Sequence, residues 1–375
     1  TDWGGASLYR DPSGTLRRRR AVEVSFDRPY RESVGSSQIR WMSRIIAKPR
    51  RKRMSSRHRV AVLTAPQTFE VQETDLGDPG EGEVLLRLEG CGVCASNIPP
   101  FEGRDWFSYP FEPGAPGHEG WGVIEAVGPG VTAFREGMRV ASLGQHAYAT
   151  HEIVDHRDLV GLPQELDGIP FPGEPLGCAM NIFRRSDVRA GQRVAVVGVG
   201  FLGALLTGLC SSVGAEVIAV SRRAFSREVG TDFGASHEVA LGESWEVRDA
   251  VAEVTDGAMC DRVIECGGKQ TSLDVASELV TTRGTLVIAG FHQDGPRQVN
   301  MQSWNWRGID VINAHERDPQ MYRDGVRAAV VAVLEGRVDP RPLFTHRFGI
   351  EHLDEALNAT RRREPGFMKA LLINA

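Results

Sequence analysis

A chain of 375 residues, 41% of them hydrophobic, is long enough for two ordinary domains with a core in each. Its net charge of −5 hides an asymmetry: residues 1–59 carry 16 basic against 5 acidic residues, and the remainder 28 against 44. An acidic body argues against a nucleic-acid-binding enzyme, because phosphate neutralisation supplies most of that affinity.

Residues 1–58 hold the runs Arg17-Arg18-Arg19-Arg20 and Arg50-Arg51-Lys52-Arg53 without a sustained helical period, and read as a basic, disordered extension. The same runs leave open a nuclear-import patch or a transit peptide. No apolar signal core stands near the N-terminus, so secretion is not expected. The longest apolar stretch, residues 201–220, is broken by Ser211, Ser212, Gly214 and Glu216, which predicts a buried helix and strand rather than a membrane span. Six cysteines without a dense framework suit a reducing, cytoplasmic compartment.

From residue 59 to 160 short β-type runs alternate with Gly and Pro, at 60–63, 83–90, 122–127, 138–143 and 147–154, which predicts a mostly antiparallel β unit. After Pro163 the pattern changes. Buried apolar runs at 194–197, 217–220, 262–265, 285–289 and 309–313 alternate with helical segments, the signature of a parallel α/β sheet. A helical run from Met321 to Glu335, a strand at 344–348, a helix near 353–360 and a strand at 370–373 close the chain.

The first strand of the α/β part runs directly into Gly198-Val199-Gly200-Phe201-Leu202-Gly203 and then a helix. In that setting the glycines allow a tight turn, close approach of backbone to a pyrophosphate, and close helix-to-strand packing, while the helix N-terminus offers free N–H groups. A nicotinamide dinucleotide is the expected occupant. At the end of the second strand, a carboxylate would bind the ribose 2′-hydroxyl and repel a 2′-phosphate. Ser221-Arg222-Arg223 stand there instead, which favours NADP(H) over NAD(H).

In the β unit, Gly92-Val93-Cys94-Ala95-Ser96-Asn97 is followed 24 residues after Cys94 by Gly117-His118-Glu119-Gly120. A thiolate, an imidazole and a carboxylate with an open position make a catalytic zinc site. These two motifs and the glycine fingerprint, in this order and spacing, resemble the zinc-dependent medium-chain dehydrogenase/reductase family, which includes alcohol, sorbitol and threonine dehydrogenases. The resemblance runs from about residue 59 to the end of the chain.

It implies an α/β fold: a doubly wound Rossmann parallel sheet over 178–314 plus a mostly β GroES-like catalytic domain made of 59–177 and 315–375. It also implies zinc-assisted hydride transfer between a secondary alcohol or ketone and the nicotinamide. Cys94 and His118 match the first two zinc ligands, and the third is Glu119 or Glu174, the latter in a Glu174-Pro175-Leu176 motif of polyol-dehydrogenase type. Cys178 and Cys91 read as packed residues. Ser96 matches the proton-relay hydroxyl, Pro99 replaces a relay histidine, Asn97 is placed to orient His118, and Lys369 matches a position that contacts the cofactor phosphate. The family's structural zinc lobe is absent, so one zinc is expected.

Arg104, Trp106, Phe107 and Tyr109, with Asn313, His315, Glu316 and Arg317, fall where family members line the substrate cleft. Their polarity favours a polyol, sugar or hydroxy-acid derivative. A homodimer or homotetramer is implied. Two rival readings are a zinc-free quinone-reductase-like enzyme, which the presence of Cys94 and His118 opposes, and a non-enzymatic redox-sensing binding protein.

Overall fold

The computed structural model describes Leu8–Arg10, Leu16–Arg18 and residues 57–374. Strands β1 (Leu8–Arg10) and β2 (Leu16–Arg18) pair antiparallel. The rest of the basic extension, including the expected disorder and both arginine runs apart from Arg17 and Arg18, lies outside the described residues.

The β unit begins with an antiparallel ribbon of β3 (Arg57–Ala65) and β4 (Thr68–Asp75). Next comes the long strand β5 (Glu83–Val93), then a short helix α1 (Ile98–Glu102), then β6 (Gly120–Val127), β7 (Arg139–Ser142), β8 (His151–Asp155) and β9 (Leu159–Gly161). β5 organises this sheet. Val84 to Cys91 pair with β6 on one side, and on the other side its first half pairs with β8. Alternation of buried and half-buried side chains along β8 fits a sheet covered on one face.

Helix α2 (Gly173–Ser186) runs unbroken across residues 177 and 178 and leads into the parallel sheet. Its strands are β10 (Arg193–Val197), β11 (Glu216–Ser221), β12 (His237–Ala240), β13 (Cys260–Glu265), β14 (Val280–Ile288) and β15 (Asp310–Asn313). The order is β12-β11-β10-β13-β14-β15, which is the 3-2-1-4-5-6 arrangement of a dinucleotide-binding sheet. Helices α3 (Phe201–Ser212), α4 (Ala224–Asp232), α5 (Ser244–Val254), α6 (Gln270–Leu279) and α7 (Met301–Arg307) connect or flank these strands. Helix α8 (Pro319–Leu334) then packs on α2. Val194 to Val197 are fully buried, because a sheet covered on both faces has no solvent side.

The chain then returns to the first sheet through β16 (His346–Phe348), α9 (Leu353–Arg362) and β17 (Ala370–Ile373). β17 pairs antiparallel with Gly90 to Val93, the second half of β5. The architecture is therefore the expected one, a Rossmann-type parallel sheet with a GroES-like β unit built from both ends of the described chain. Among the described residues no helix is long and apolar enough to cross a membrane.

Candidate active site

Strand register assembles the site. Cys94 directly follows the end of β5, and Cys91 of β5 lies opposite Gly120, so His118 and Glu119 arrive beside Gly92 and Cys94. The Gly92 N–H donates to the Glu119 carbonyl at 3.0 Å. Lys369 immediately precedes β17, whose Ala370 lies opposite Val93. Three segments distant in sequence thus end at one point because they flank the same strand.

Ligand atoms of Cys94, His118 and Glu119 all lie within 4.8 Å of one another. His118 Nδ1 donates to the Pro116 carbonyl at 2.9 Å, since a carbonyl only accepts, and Nε2 is left to face the cluster. Burial disfavours the imidazolium, but a hydrogen bond to Cys94 and the charges of Cys94, Glu174 and Glu119 outweigh it and raise the pKa to about 10. Glu119 is fully buried, and its Oε2 has no well-directed hydrogen bond. A Cβ on Gly92 would stand 1.8 Å from that oxygen, so only glycine leaves room for it. A soft sulfur ligand, a tautomerically fixed imidazole and a buried carboxylate within 4.8 Å of one another fit a zinc ion.

Glu174 enters from the first turn of α2. Burial pushes its carboxyl above the ordinary range; His118 opposes and Glu119 adds to that shift. Its Oε1 accepts the Cys178 thiol proton at 3.1 Å. Cys178, read as a packed residue, lies one helical turn from Glu174 with its sulfur facing that carboxyl. Cys91 is fully buried in β5, as the apolar run around it implies.

Lys369 has a partner that the resemblance did not name. Its ammonium donates to Glu119 Oε1 at 2.7 Å and lies 2.6 Å from Oε2, with only 6% of the residue exposed. A buried carboxylate without a counter-charge costs several kcal/mol, roughly, and Lys369 is the cation that sequence position could not reveal. The same ammonium sits 5.1 Å from the centre of the Phe201 ring, at the start of α3. The metal-type cluster and the glycine turn therefore adjoin.

At that turn Gly198 adopts φ of +102°, and Gly200 caps α3. A Cβ on Gly203 would meet the Gly198 carbonyl oxygen at 2.2 Å, whereas one on Gly200 would meet nothing within 4 Å. The third glycine serves packing and the second faces open space, as a backbone that receives a pyrophosphate must. Phe201 and Leu202, both partly exposed, open the helix. Beyond β11, Ser221 is buried, Arg222 is exposed, and Arg223 donates to the Phe367 carbonyl at 2.6 Å.

Ser96 Oγ donates to Asn97 Oδ1 at 3.2 Å. Asn97 orients His118 only indirectly: its Nδ2 donates to the Pro116 carbonyl, which also accepts from His118, and to the Tyr148 hydroxyl at 2.6 Å. The buried Tyr148 carries no motif and was not expected. Among the expected cleft residues, Arg104 pairs with Glu102 at 3.0 Å, Tyr109 gives its hydroxyl to the Pro100 carbonyl, and Trp106 is 61% exposed. Glu316 caps its own turn by accepting from the N–H groups of Arg317 and Asp318. His315 stacks obliquely on Phe291, and its Nε2 is buried without a partner.

Comparison with known proteins agrees with this geometry. Residues 80–169 match the alcohol dehydrogenase GroES-like domain and residues 202–331 match the zinc-binding dehydrogenase domain. An NDMA-dependent alcohol dehydrogenase from Amycolatopsis methanolica is 30% identical over 291 residues, which cover 62% of this chain and 76% of the relative. The chain belongs to the zinc-type medium-chain dehydrogenase family. Sorbitol dehydrogenase from Halalkalibacterium halodurans is 27% identical over 333 residues, 79% of this chain and 93% of that one. A putative zinc-binding dehydrogenase from Sinorhizobium meliloti, bound to NADP, shares the fold with a TM-score of 0.74 at 22% identity, covering 85% of this chain and all of the other. This member is thus an oxidoreductase of the dehydrogenase type, with a dinucleotide-binding sheet.

Proposed function

We propose that this dehydrogenase interconverts a secondary alcohol and its ketone, with NADP(H) favoured over NAD(H), and that its substrate is a polyol, sugar or hydroxy-acid derivative. The observation that carries the reading is Lys369, one buried side chain that touches both Glu119 of the donor cluster and Phe201 of the glycine turn. Hydride transfer needs the polarised oxygen and the nicotinamide in one cleft, and that contact puts the two half-sites side by side.

Cys94, His118 and Glu119 would hold one zinc, with Glu174 beside the open position. When bound, zinc supplies Lewis-acid polarisation of the substrate oxygen, and the nicotinamide supplies the two-electron acceptor or donor. The chain's own residues do the rest. Ser96 Oγ accepts the proton of the substrate hydroxyl; because Asn97 Oδ1 cannot take it onward, the Ser96 hydroxyl must turn toward cofactor ribose or water to release it. Glu174, whose carboxyl burial pushes above its ordinary range, offers a second carboxyl group beside the cluster. The polar donors here, rather than an apolar barrel, favour a substrate with several hydroxyls, and the sorbitol dehydrogenase relatives point the same way.

The chain is proposed to act as a homodimer or homotetramer in the cytoplasm. A screen of polyols, sugars, hydroxy acids and alkyl alcohols with both cofactors, run beside metal analysis of the purified protein, tests the reading. Turnover of a polyol or sugar with one zinc per chain supports it. Full turnover after zinc removal, or oxidation of alkyl alcohols alone, overturns it.

A further inference from the structure

At the end of β13 lies a carboxylate that no cation touches directly. Glu265 is fully buried, and among the described residues neither a lysine nor an arginine pairs with it. Neutral donors surround it instead. Its Oε1 accepts from the N–H groups of Gly267 at 2.7 Å and Gly268 at 2.8 Å and from the Ser272 hydroxyl at 2.6 Å, and its Oε2 accepts from His292 Nε2 at 3.0 Å. The direction of that last bond is fixed by the next one along. Arg297 Nε donates to His292 Nδ1 at 2.9 Å, so Nδ1 is the accepting nitrogen and Nε2 carries the proton. Both oxygens of Glu265 must therefore accept, which a carboxylate does and an amide does not. Arg297 also donates to the Gly268 carbonyl at 3.1 Å and pairs with Asp294, which pairs in turn with Lys269 at 2.6 Å.

This chain of groups stands at the crevice of the parallel sheet. A Cβ on Gly198 would stand 3.0 Å from the Gly267 nitrogen, and one on Gly268 would stand 2.7 Å from the Phe291 carbonyl oxygen, so the turns that follow β10, β13 and β14 touch in series. The Gly290 N–H closes the series by donating to the Glu265 carbonyl at 2.7 Å. Strand order reverses between β10 and β13, and a ligand of such a sheet sits outside the carboxyl ends at that reversal. The adenosine ribose belongs at the end of the second strand, β11, and the pyrophosphate at the glycine turn, which leaves the ends of β13 and β14 for the nicotinamide. That ring is a cation when oxidised and neutral when reduced. A buried anion hydrogen-bonded only by neutral groups therefore acts on one redox state of the cofactor and not on the other.

We propose that Glu265 stabilises the oxidised, cationic nicotinamide against the reduced one, and that Arg297, reaching it through His292, limits that bias. The proposal rests on the nicotinamide-dependent reading above but not on the choice between NADP(H) and NAD(H), because the charge it concerns is on the ring. Glu265 is a positioning residue in this scheme. It acts by its field, and by the two N–H groups with which it holds the turn after β13 against Gly198. The field favours hydride transfer from alcohol to cofactor, since that direction starts from the cationic ring.

The test is calorimetric titration of the full-length, zinc-loaded protein with the oxidised and reduced forms of both NADP and NAD. The quantity read is the ratio of the two dissociation constants within each couple, which a general loss of packing leaves alone because both forms weaken together. A full charge acting through a buried site at an effective dielectric of about 20 is worth on the order of tenfold, so Glu265→Gln should weaken the oxidised form against the reduced one by about that factor in either couple. Arg297→Gln removes the opposing charge and should move the ratio the other way by about threefold or more, which keeps the proposal falsifiable if Glu265→Gln does not fold. Ser272→Ala deletes a hydrogen bond to the same carboxylate without changing any charge, and should leave the ratio within about twofold. A ratio unmoved by the charge variants, or moved as far by Ser272→Ala, overturns the proposal and leaves Glu265 a brace of the turn. Wild-type protein that binds neither couple would sink the nicotinamide reading itself and this proposal with it.

Discussion

Lys369 reaches Glu119 across 250 residues of sequence, and neither charged group has solvent to replace the other. In the metal-free protein, Lys369→Met should cost about 3–5 kcal/mol in urea unfolding, because a buried carboxylate is left alone. Adding Glu119→Gln should recover most of the loss, so that the double variant is more stable than Lys369→Met. A Lys369→Met protein within about 1 kcal/mol of wild type would show that the pair is not formed. His58 gives a second expectation at this scale. Its imidazole is buried, lies 3.1 Å from Thr74 Oγ1 and faces the ring of His151. Burial lowers its pKa, with Thr74 and Asp75 opposing. The unfolded chain then binds a proton below about pH 6.5 that the folded one resists, so this contribution to stability is complete above that pH and is lost on acidification. The slope can reach at most about 1.4 kcal/mol per pH unit, and stability measured from about pH 7.5 to 5.5 should fall less steeply in His58→Gln than in wild type. Equal slopes would remove His58 from the account. Of the site itself, Cys94, His118 and the glycine turn were legible because their chemistry is local to short motifs. The Lys369–Glu119 pair, the Pro116 carbonyl shared by His118 and Asn97, and Tyr148 were not, since each depends on which strands become neighbours.

Helices α2 and α8 cross at Gly177 and Gly325, and this crossing supports Glu174 one turn away. A Cβ on Gly325 would stand 2.6 Å from both the Gly177 carbonyl oxygen and Asn181 Nδ2. Asn181 also donates to the Met321 carbonyl at 2.9 Å, which pins the helices together. Gly325→Ala should therefore cost about 1–3 kcal/mol by overpacking and move the first turn of α2. Turnover should fall more than NADPH affinity, because Glu174 stands on the displaced turn itself; a variant with normal turnover and normal melting would mean the crossing is slack. The element-level reading of the sequence succeeded where burial imposes a continuous apolar run, as in Arg193–Val197, Glu216–Ser221 and Ala370–Ile373. It missed Thr68–Asp75 and His237–Ala240, whose side chains are largely exposed and whose partners, not their composition, make them strands. The start of α2 carries no helical signal for another reason: Gly173, Pro175 and Gly177 are poor helix formers, yet Pro is tolerated in a first turn and both glycines are demanded by close neighbours.

At the scale of the molecule, one edge of the parallel sheet is open. Among the described residues β15 pairs with β14 alone, and its residues are mostly exposed. Beside it, α7 presents Trp306 at 90% exposure and Met301 at 52%, with Val311 of β15 at 40%. An indole left almost wholly in water forfeits one of the largest apolar contributions a side chain can make, and an unpaired strand edge invites a second strand. Two copies related by a two-fold axis would satisfy both at once, β15 against β15 with each Trp306 covered, which is the closed arrangement expected of a homodimer. Trp306→Glu should therefore elute at the mass of one 41.1 kDa chain while the wild type elutes at twice or four times that. The wild type running as a monomer at working concentration would remove the argument. Because Cys94, His118, Glu119, Lys369 and the glycine turn all come from a single chain, the monomeric variant should still bind one zinc and NADPH, and should retain turnover per chain within a few fold. Loss of metal together with loss of the dimer would instead mean that the sheet edge and the site are coupled through the strands that join them.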